Sequence, residues 1–322
     1  LTCEMAMLIG RGAAAVLTSS TGHKPRILIG KDTRQSGDML EAALTAGLCS
    51  VGADVESLGV VPTPAVAYLV RKYNADAGVV ISASHNPMEF NGIKIFAGTG
   101  YKLPDEVENK IEAYIDNQCA GLKLATGDEV GRVTCRTDGI KDYTDHLYES
   151  INGDLSGLNI CIDCANGASA AAARQLFPRL GAKCTFIGVE PDGKNINAGV
   201  GSTHLDNLEK AVVEGGFDCG IAFDGDADRC LACDEKGQEI DGDKIIALLA
   251  MNMKEKGCLD GNTAVVTVMS NLGFIKFMES QGIRTEKTAV GDRYVLENMR
   301  ENGYAIGGEQ SGHVILLHHA TT

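Results

Sequence analysis

One unit recurs three times along the chain and limits the folds open to it. A short apolar run, often β-branched, leads into a loop, a helical stretch, a glycine and a second apolar run. The first copy spans 26–30, the helical stretch 39–50, Gly52 and 54–59. The second spans 159–163, 170–180, Gly181 and 183–188. The third spans 264–269, 273–281, Gly282 and 284–291. A glycine just past a helix suits the left-handed stop. Short β-branched runs suit parallel strands buried on both faces, and their alternation with helices predicts βαβ units. The copies are too widely and irregularly spaced for a solenoid. The pattern therefore predicts an α/β chain of three consecutive domains of related topology, with mixed, mostly parallel sheets. The expected domains are 1–136, 137–236 and 237–322. An amphipathic helix is expected over 104–117 and a further helix over 138–151, around a polar, Gly-rich stretch at 119–132.

Composition removes several function classes. At roughly 100–200 residues per domain, 322 residues suit two or three domains. Twenty-nine Lys and Arg against 43 Asp and Glu give a net charge of −14. So acidic a chain is a poor candidate for a phosphate-tracking basic surface, and no nucleic-acid partner is expected. No apolar run reaches spanning length, and no membrane association is expected. Leu1-Thr2-Cys3-Glu4 shows neither the charged nor the apolar region of a signal peptide. Eleven cysteines, an odd number, sit mostly inside apolar runs, as Cys161 and Cys184 do. They read as free thiols in a reducing, cytoplasmic compartment. The CxxC pairs Cys161/Cys164 and Cys230/Cys233 lie too far apart for a zinc ribbon and open no helix.

Four loops carry chemistry. In Val79-Val80-Ile81-Ser82-Ala83-Ser84-His85-Asn86-Pro87 a buried strand ends in small polar residues. Open α/β sheets place ligands at such carboxyl ends. Ser84 and His85 are adjacent, so in extended chain they point apart and suit no Ser-His dyad. A polar turn and a ligand loop both stay open here.

In Phe223-Asp224-Gly225-Asp226-Ala227-Asp228-Arg229, three carboxylates alternate within five residues after the strand 219–223. Unpaired, they would repel and raise one another's pKa values; a hard divalent cation removes that cost. Asp224, Asp226, Asp228 and Glu235 also match positions 1, 3, 5 and 12 of an EF-hand loop. Arg229 stands where that loop needs glycine. An aspartyl nucleophile is a further alternative. Mg²⁺ is the expected cation, because a few carboxylates and a phosphate oxygen are its usual partners.

Gly307-Gly308-Glu309-Gln310-Ser311-Gly312-His313 offers a carboxylate, an amide, a hydroxyl and an imidazole, a set that suits sugar hydroxyls. Gly30-Lys31-Asp32-Thr33-Arg34-Gln35-Ser36-Gly37 closes the first repeat's strand. There Arg34 and the following helix start could receive an anion. Gly199-Val200-Gly201 resembles half a dinucleotide fingerprint but lacks its third glycine, so helix capping by Ser202 or Thr203 is expected instead.

Taken in order, Ser82-Ala83-Ser84-His85-Asn86-Pro87, Asp224-Gly225-Asp226-Ala227-Asp228-Arg229 and Gly308-Glu309-Gln310-Ser311-Gly312-His313 resemble the α-D-phosphohexomutase superfamily across nearly the whole chain. Gln310, Asn91-Gly92-Ile93-Lys94 and Val290-Gly291-Asp292-Arg293-Tyr294-Val295 point to its bacterial amino-sugar branch. The resemblance implies an intramolecular phosphotransferase that interconverts glucosamine 6-phosphate and glucosamine 1-phosphate, feeding cell-wall precursor synthesis. It implies that Ser84 carries a phosphoryl group and that Asp224, Asp226 and Asp228 hold Mg²⁺ with a phosphoserine oxygen. Arg229 would neutralise the phosphoserine, and Arg34 would support its loop. Lys94, with His85 or His313, would stabilise charge and move protons. Glu309 and Ser311, in the loop with Gln310 and His313, would hold the sugar hydroxyls. Glucosamine 1,6-bisphosphate would be the intermediate or activator, and a homodimer is expected. A phosphomannomutase/phosphoglucomutase of the same superfamily and a non-catalytic sugar-phosphate-binding protein are the alternatives. The resemblance further implies an Arg-Gly segment before Leu1 and a fourth, phosphate-gripping domain after Thr322. Both ends are thus expected to be cut, the fourth domain to be absent from this chain, and turnover to be slow.

Overall fold

The computed structural model describes residues 1–17 and 22–322. Three sheets follow one another along the chain. The first domain comprises α1 (Cys3–Leu17), β1 (Arg26–Lys31), α2 (Ser36–Ser50), β2 (Asp54–Val60), α3 (Thr63–Lys72), β3 (Ala77–Ile81), β4 (Ile93–Ala97), α4 (Asp105–Asp116) and β5 (Val133–Cys135). Its strand order is β4-β3-β1-β2-β5, parallel except for β4. Helix α5 (Gly139–Ser150) packs on both α3 and α6, bridging the first two domains.

The second domain comprises β6 (Asn159–Asp163), α6 (Ser169–Arg179), β7 (Lys183–Ile187), α7 (Asp206–Gly215), β8 (Cys219–Phe223), β9 (Cys230–Asp234) and β10 (Glu239–Ile240), in the order β10-β9-β8-β6-β7. The third comprises α8 (Gly242–Glu255), β11 (Thr263–Thr267), α9 (Leu272–Ser280), β12 (Arg284–Thr288), α10 (Asp292–Asn302), β13 (Ile306–Gly308) and β14 (Val314–Leu316), in the order β12-β11-β13-β14.

The three sheets share one plan. The first parallel strand is central, the second lies beside it, and the third lies on its other side. An antiparallel strand then caps the third: β4 on β3, β9 on β8 and β14 on β13. The central strands are apolar because helices cover both faces; β3 and β11 are buried at every residue. The glycines after α2, α6 and α9 each take a positive φ, 94° at Gly52, 91° at Gly181 and 66° at Gly282. Among the described residues no helix is long and apolar enough to cross a membrane.

Two expectations need correction. A domain break at 236/237 would cut the β9–β10 hairpin, in which Glu239 pairs with Cys233 and Ile240 with Ala232. The segment at that boundary is the hairpin's turn, closed by Lys236 and Gln238 N–H donation to Asp234 Oδ1. The second sheet therefore runs to Ile240, and Asp241 caps α8 by accepting from Lys244 N–H. Nor do Ser202 and Thr203 cap a helix. Helix α7 begins at Asp206, and Ser202 Oγ is buried without a partner. The Gly201 N–H instead donates to Asp163 Oδ2 at 2.8 Å, holding that loop against the second sheet.

Candidate active site

The common plan puts three of the four loops in equivalent places. Each joins the third parallel strand to its antiparallel neighbour: Ser82–Pro87 after β3, Asp224–Arg229 after β8, and Glu309–His313 after β13. Each thus opens at a strand's carboxyl end, the edge where open α/β sheets bind ligands.

The serine loop is over-determined. Ser84 takes a left-handed backbone, φ 51°, which costs an L-residue about 1–2 kcal/mol. Its surroundings hold it there. Ser84 N–H donates to Ser82 Oγ at 2.9 Å, and Ser82 Oγ–H donates to Asp32. The Ser84 carbonyl accepts from Arg34 at 3.2 Å and from Asn197 Nδ2 at 2.9 Å. Both donors also reach the Asn86 carbonyl. Arg34 is 2% exposed and paired with Asp32, and its Nη atoms are committed to Asp32, Ser82 and the loop's carbonyls. Burial pushes the Asp32 carboxyl up, only partly offset by Arg34. Gly225 of the acidic loop lies against the same carbonyl, where a Cβ would meet Ser84 O at 2.7 Å. The second domain's backbone can approach this closely only because residue 225 has no side chain.

This packing brings Ser84 to the carboxylates. Its hydroxyl donates to Asp224 Oδ2 at 2.5 Å and lies 3.3 Å from Asp228 Oδ1. Asp224, Asp226 and Asp228 each offer an oxygen within 4.8 Å of the others. Asp224 and Asp226 are fully buried. Lys94, from β4, donates to Asp226 Oδ2 at 2.6 Å and to Asp228 Oδ2 at 2.8 Å. Thr63, at the start of α3, donates to Asp226 Oδ2 at 2.5 Å. Burial and the two neighbouring carboxylates push Asp224 well above the usual carboxylate range. Burial opposes charge on Asp228 too, but Lys94, His313 and Arg229 outweigh it and hold the carboxyl well below that range. Burial likewise opposes charge on Lys94, but Asp226 and Asp228 hold it well above its usual value. Asp226 Oδ1 is buried with no hydrogen-bond partner. Hard oxygens, like-charge crowding and an unsatisfied buried carboxylate oxygen fit a small divalent cation.

The remaining predicted residues lie in the same three loops. His85 is half-buried, its Nδ1 unpartnered; burial and then the Arg229 charge pull it below its usual value. Arg229 donates its backbone N–H to Asp224 Oδ1 at 3.2 Å. The third loop is tied in by Cys230 N–H donation to the Gly312 carbonyl at 3.0 Å. In that loop Ser311 is exposed, and Glu309 Oε1 accepts from Gly291 N–H at 3.1 Å. Gln310 Nε2 reaches Asp241 Oδ2 at 3.4 Å, and His313 is 4% exposed.

Sequence reasoning missed Asp32, Thr63 and Asn197. Asp32 stood inside a quoted motif, beside the arginine it anchors. Thr63, between Pro62 and Pro64, reads as turn residue. Asn197 joins the site only through the fold, from 113 residues away.

Comparisons with known proteins follow the same division. The chain matches the family described as phosphoglucomutase/phosphomannomutase: domain I over residues 1–120, domain II over 141–237 and domain III over 241–322. Proteins named phosphoglucosamine mutase from Acetivibrio thermocellus and Clostridium tetani are each 56% identical to it over 322 residues, the whole of this chain and 72% of theirs. The crystal structure of a phosphoglucomutase/phosphomannomutase family protein from Burkholderia thailandensis superposes with a TM-score of 0.83 at 25% identity, covering 98% of this chain and 69% of that one. An Aspergillus fumigatus N-acetylphosphoglucosamine mutase, solved with GlcNAc-6P and magnesium, shares the fold at 18% identity and a TM-score of 0.56, covering 93% of this chain and 54% of that one.

Proposed function

The chain belongs to the phosphoglucomutase/phosphomannomutase family, and from that premise we propose that it is a phosphoglucosamine mutase whose phosphoryl carrier is Ser84. The reaction interconverts glucosamine 6-phosphate and glucosamine 1-phosphate. The observation that carries the carrier assignment is the Ser84 hydroxyl, 2.5 Å from Asp224 within the acid triad.

In the forward half-reaction the bond between Ser84 Oγ and phosphorus breaks as a bond forms between phosphorus and the sugar's free hydroxyl oxygen. The hydroxyl proton leaves to His85 or His313, and Ser84 Oγ, which keeps the electron pair of the broken bond, takes that proton back as its hydroxyl. The product is glucosamine 1,6-bisphosphate. The bisphosphate turns over in the cleft, and its other phosphoryl returns to Ser84, restoring the carrier. Such transfers depend chiefly on positioning and charge neutralisation. Asp224, Asp226 and Asp228 would hold Mg²⁺, and a divalent cation bound there would neutralise charge on the transferred group. Arg229 and Lys94 supply the protein's own positive charge, and Arg34 fixes the loop that presents Ser84. Glu309 and Ser311 bind sugar hydroxyls, with Gln310 in the same loop. The catalyst works in the cytoplasm, as a homodimer.

Intact-mass measurement tests the carrier. Protein incubated with glucosamine 1,6-bisphosphate should gain about 80 Da on Ser84, the mass of a phosphoryl adduct, and the Ser84→Ala variant should gain nothing. An adduct on Asp224 instead would overturn the assignment. Parallel assays with glucosamine, mannose and glucose phosphates test the substrate, and a preference for a plain hexose would favour the phosphomannomutase/phosphoglucomutase reading.

A further inference from the structure

One hairpin of the first domain touches both other domains. Strand β4 turns back on itself through a Phe96–Lys102 bridge and an Ala97 N–H donation to the Tyr101 carbonyl at 2.9 Å. Lys94 on the outgoing arm reaches the second domain's Asp226 and Asp228. Lys102 on the returning arm pairs with Asp292 of the third domain. The same joint carries Arg293 donating to the Leu103 carbonyl, Arg300 over the Tyr101 ring at 4.2 Å, and Thr321 Oγ donating to the Gly100 carbonyl at 2.7 Å.

Asp292 is well placed for more than docking. It opens α10 directly after Gly291, whose N–H holds Glu309. Its Oδ2 lies 3.4 Å from Nε2 of His313, a small ring rotation from a hydrogen bond. That nitrogen is buried and has no hydrogen-bond partner. A buried imidazole nitrogen without a partner is costly, and Asp292 is the carboxylate placed to satisfy it. Burial opposes its charge, but His313 and Lys102 hold the Asp292 carboxyl below the usual range, in its accepting form.

We propose that Asp292 is the positioning residue for His313: it accepts from Nε2–H, while Lys102 fixes the carboxylate from across the domain boundary. The hydrogen bond a ring nitrogen makes sets its tautomer and orientation. His313 thus holds its working orientation most firmly when the third domain is docked on the first. The kinetic consequence rests on the mutase reading, in which His313 transfers a proton; the orientation itself does not.

Nitrogen-15 NMR of histidine-labelled protein tests the orientation without any turnover. In the native chain the neutral His313 ring should carry its proton on Nε2. In Asp292→Ala that signal should move toward the other tautomer, and Asp292→Glu should restore it. Lys102→Met, which leaves Asp292 in place, should shift it partway and covers the case that Asp292→Ala fails to fold. A native Nδ1–H tautomer, or a His313 signal indifferent to both substitutions, overturns the proposal. Kinetics add a second readout. Asp292→Ala should lower kcat about tenfold or more, part of the 10²–10⁴-fold that a positioned acid–base group supplies, with KM changed less. In a His313→Gln background the same substitution should cost little more. An equal loss in both backgrounds would show that Asp292 acts through something other than His313. Failure of the mutase reading would appear separately, as absent labelling of Ser84.

Discussion

Thr63 of the first domain donates its hydroxyl to Asp226 of the second at 2.5 Å, and its backbone N–H donates to the Asp226 carbonyl at 2.8 Å. One residue at a helix start thereby satisfies two acceptors of the acidic loop and fixes that loop to the domain that carries Ser84.

Thr63→Val keeps the shape and removes the hydroxyl. It leaves a buried carboxylate oxygen with one donor fewer, so stability should fall by about 1–3 kcal/mol. Denaturant titration checks this, and Thr63→Ser should recover most of the loss.

Ser84 separates chemistry from backbone strain. Ser84→Ala and Ser84→Gly should both lose phosphoryl labelling. Because the site has φ 51°, the glycine variant should be the more stable of the two by about 1 kcal/mol. Equal unfolding midpoints would contradict a strained backbone there.

The acid triad predicts a metal-dependent stability. Mg²⁺ at a hundred times its Kd should stabilise the native chain by about 2.7 kcal/mol, read as a rising thermal midpoint that EDTA reverses. Asp224→Asn/Asp228→Asn should abolish the metal response. A double variant that still responds would place the cation elsewhere.

Asp54 gives a pH signature away from the site. Burial opposes its charge, but the Arg132 N–H and Lys24 outweigh it and hold the carboxyl below its usual value. A lowered folded-state pKa stabilises above the unfolded value and loses that contribution as pH falls through the folded one. The side chain is 37% exposed, so the pair is screened. Asp54→Asn should cost about 0.2–1 kcal/mol at pH 7, a cost that fades as pH falls through the carboxyl's lowered folded-state value.

Much of the architecture was readable because it is local. The three strand–helix–glycine–strand units carry their own periodicity and stop signals, and the structure forms helices and strands there. The boundary expected at 236/237 falls in a hairpin turn, because a tight turn and a domain boundary use the same polar residues; only the pairing of Glu239 with Cys233 tells them apart. At the site, the loops carrying Ser84, the aspartates and Glu309 were visible as clusters of functional groups on short segments. Asn197 and Thr63 were not, because their role is to hold another segment and the sequence around them is that of any loop or helix start. Arg34 shows the reverse case. Its charge suggested an anion, but burial beside Asp32 assigns it to the serine loop's carbonyls.

Each of the three clefted loops is pinned at both ends by strands of its own sheet, so none can travel far without unpairing β-structure. If the reaction runs as proposed, a bisphosphate reversing end for end would gain little room from loop breathing. On that reading the space would come from rigid bodies pivoting apart, and the ionic seam at Lys102 and Asp292 is one of the fasteners such a pivot would undo and remake in every cycle.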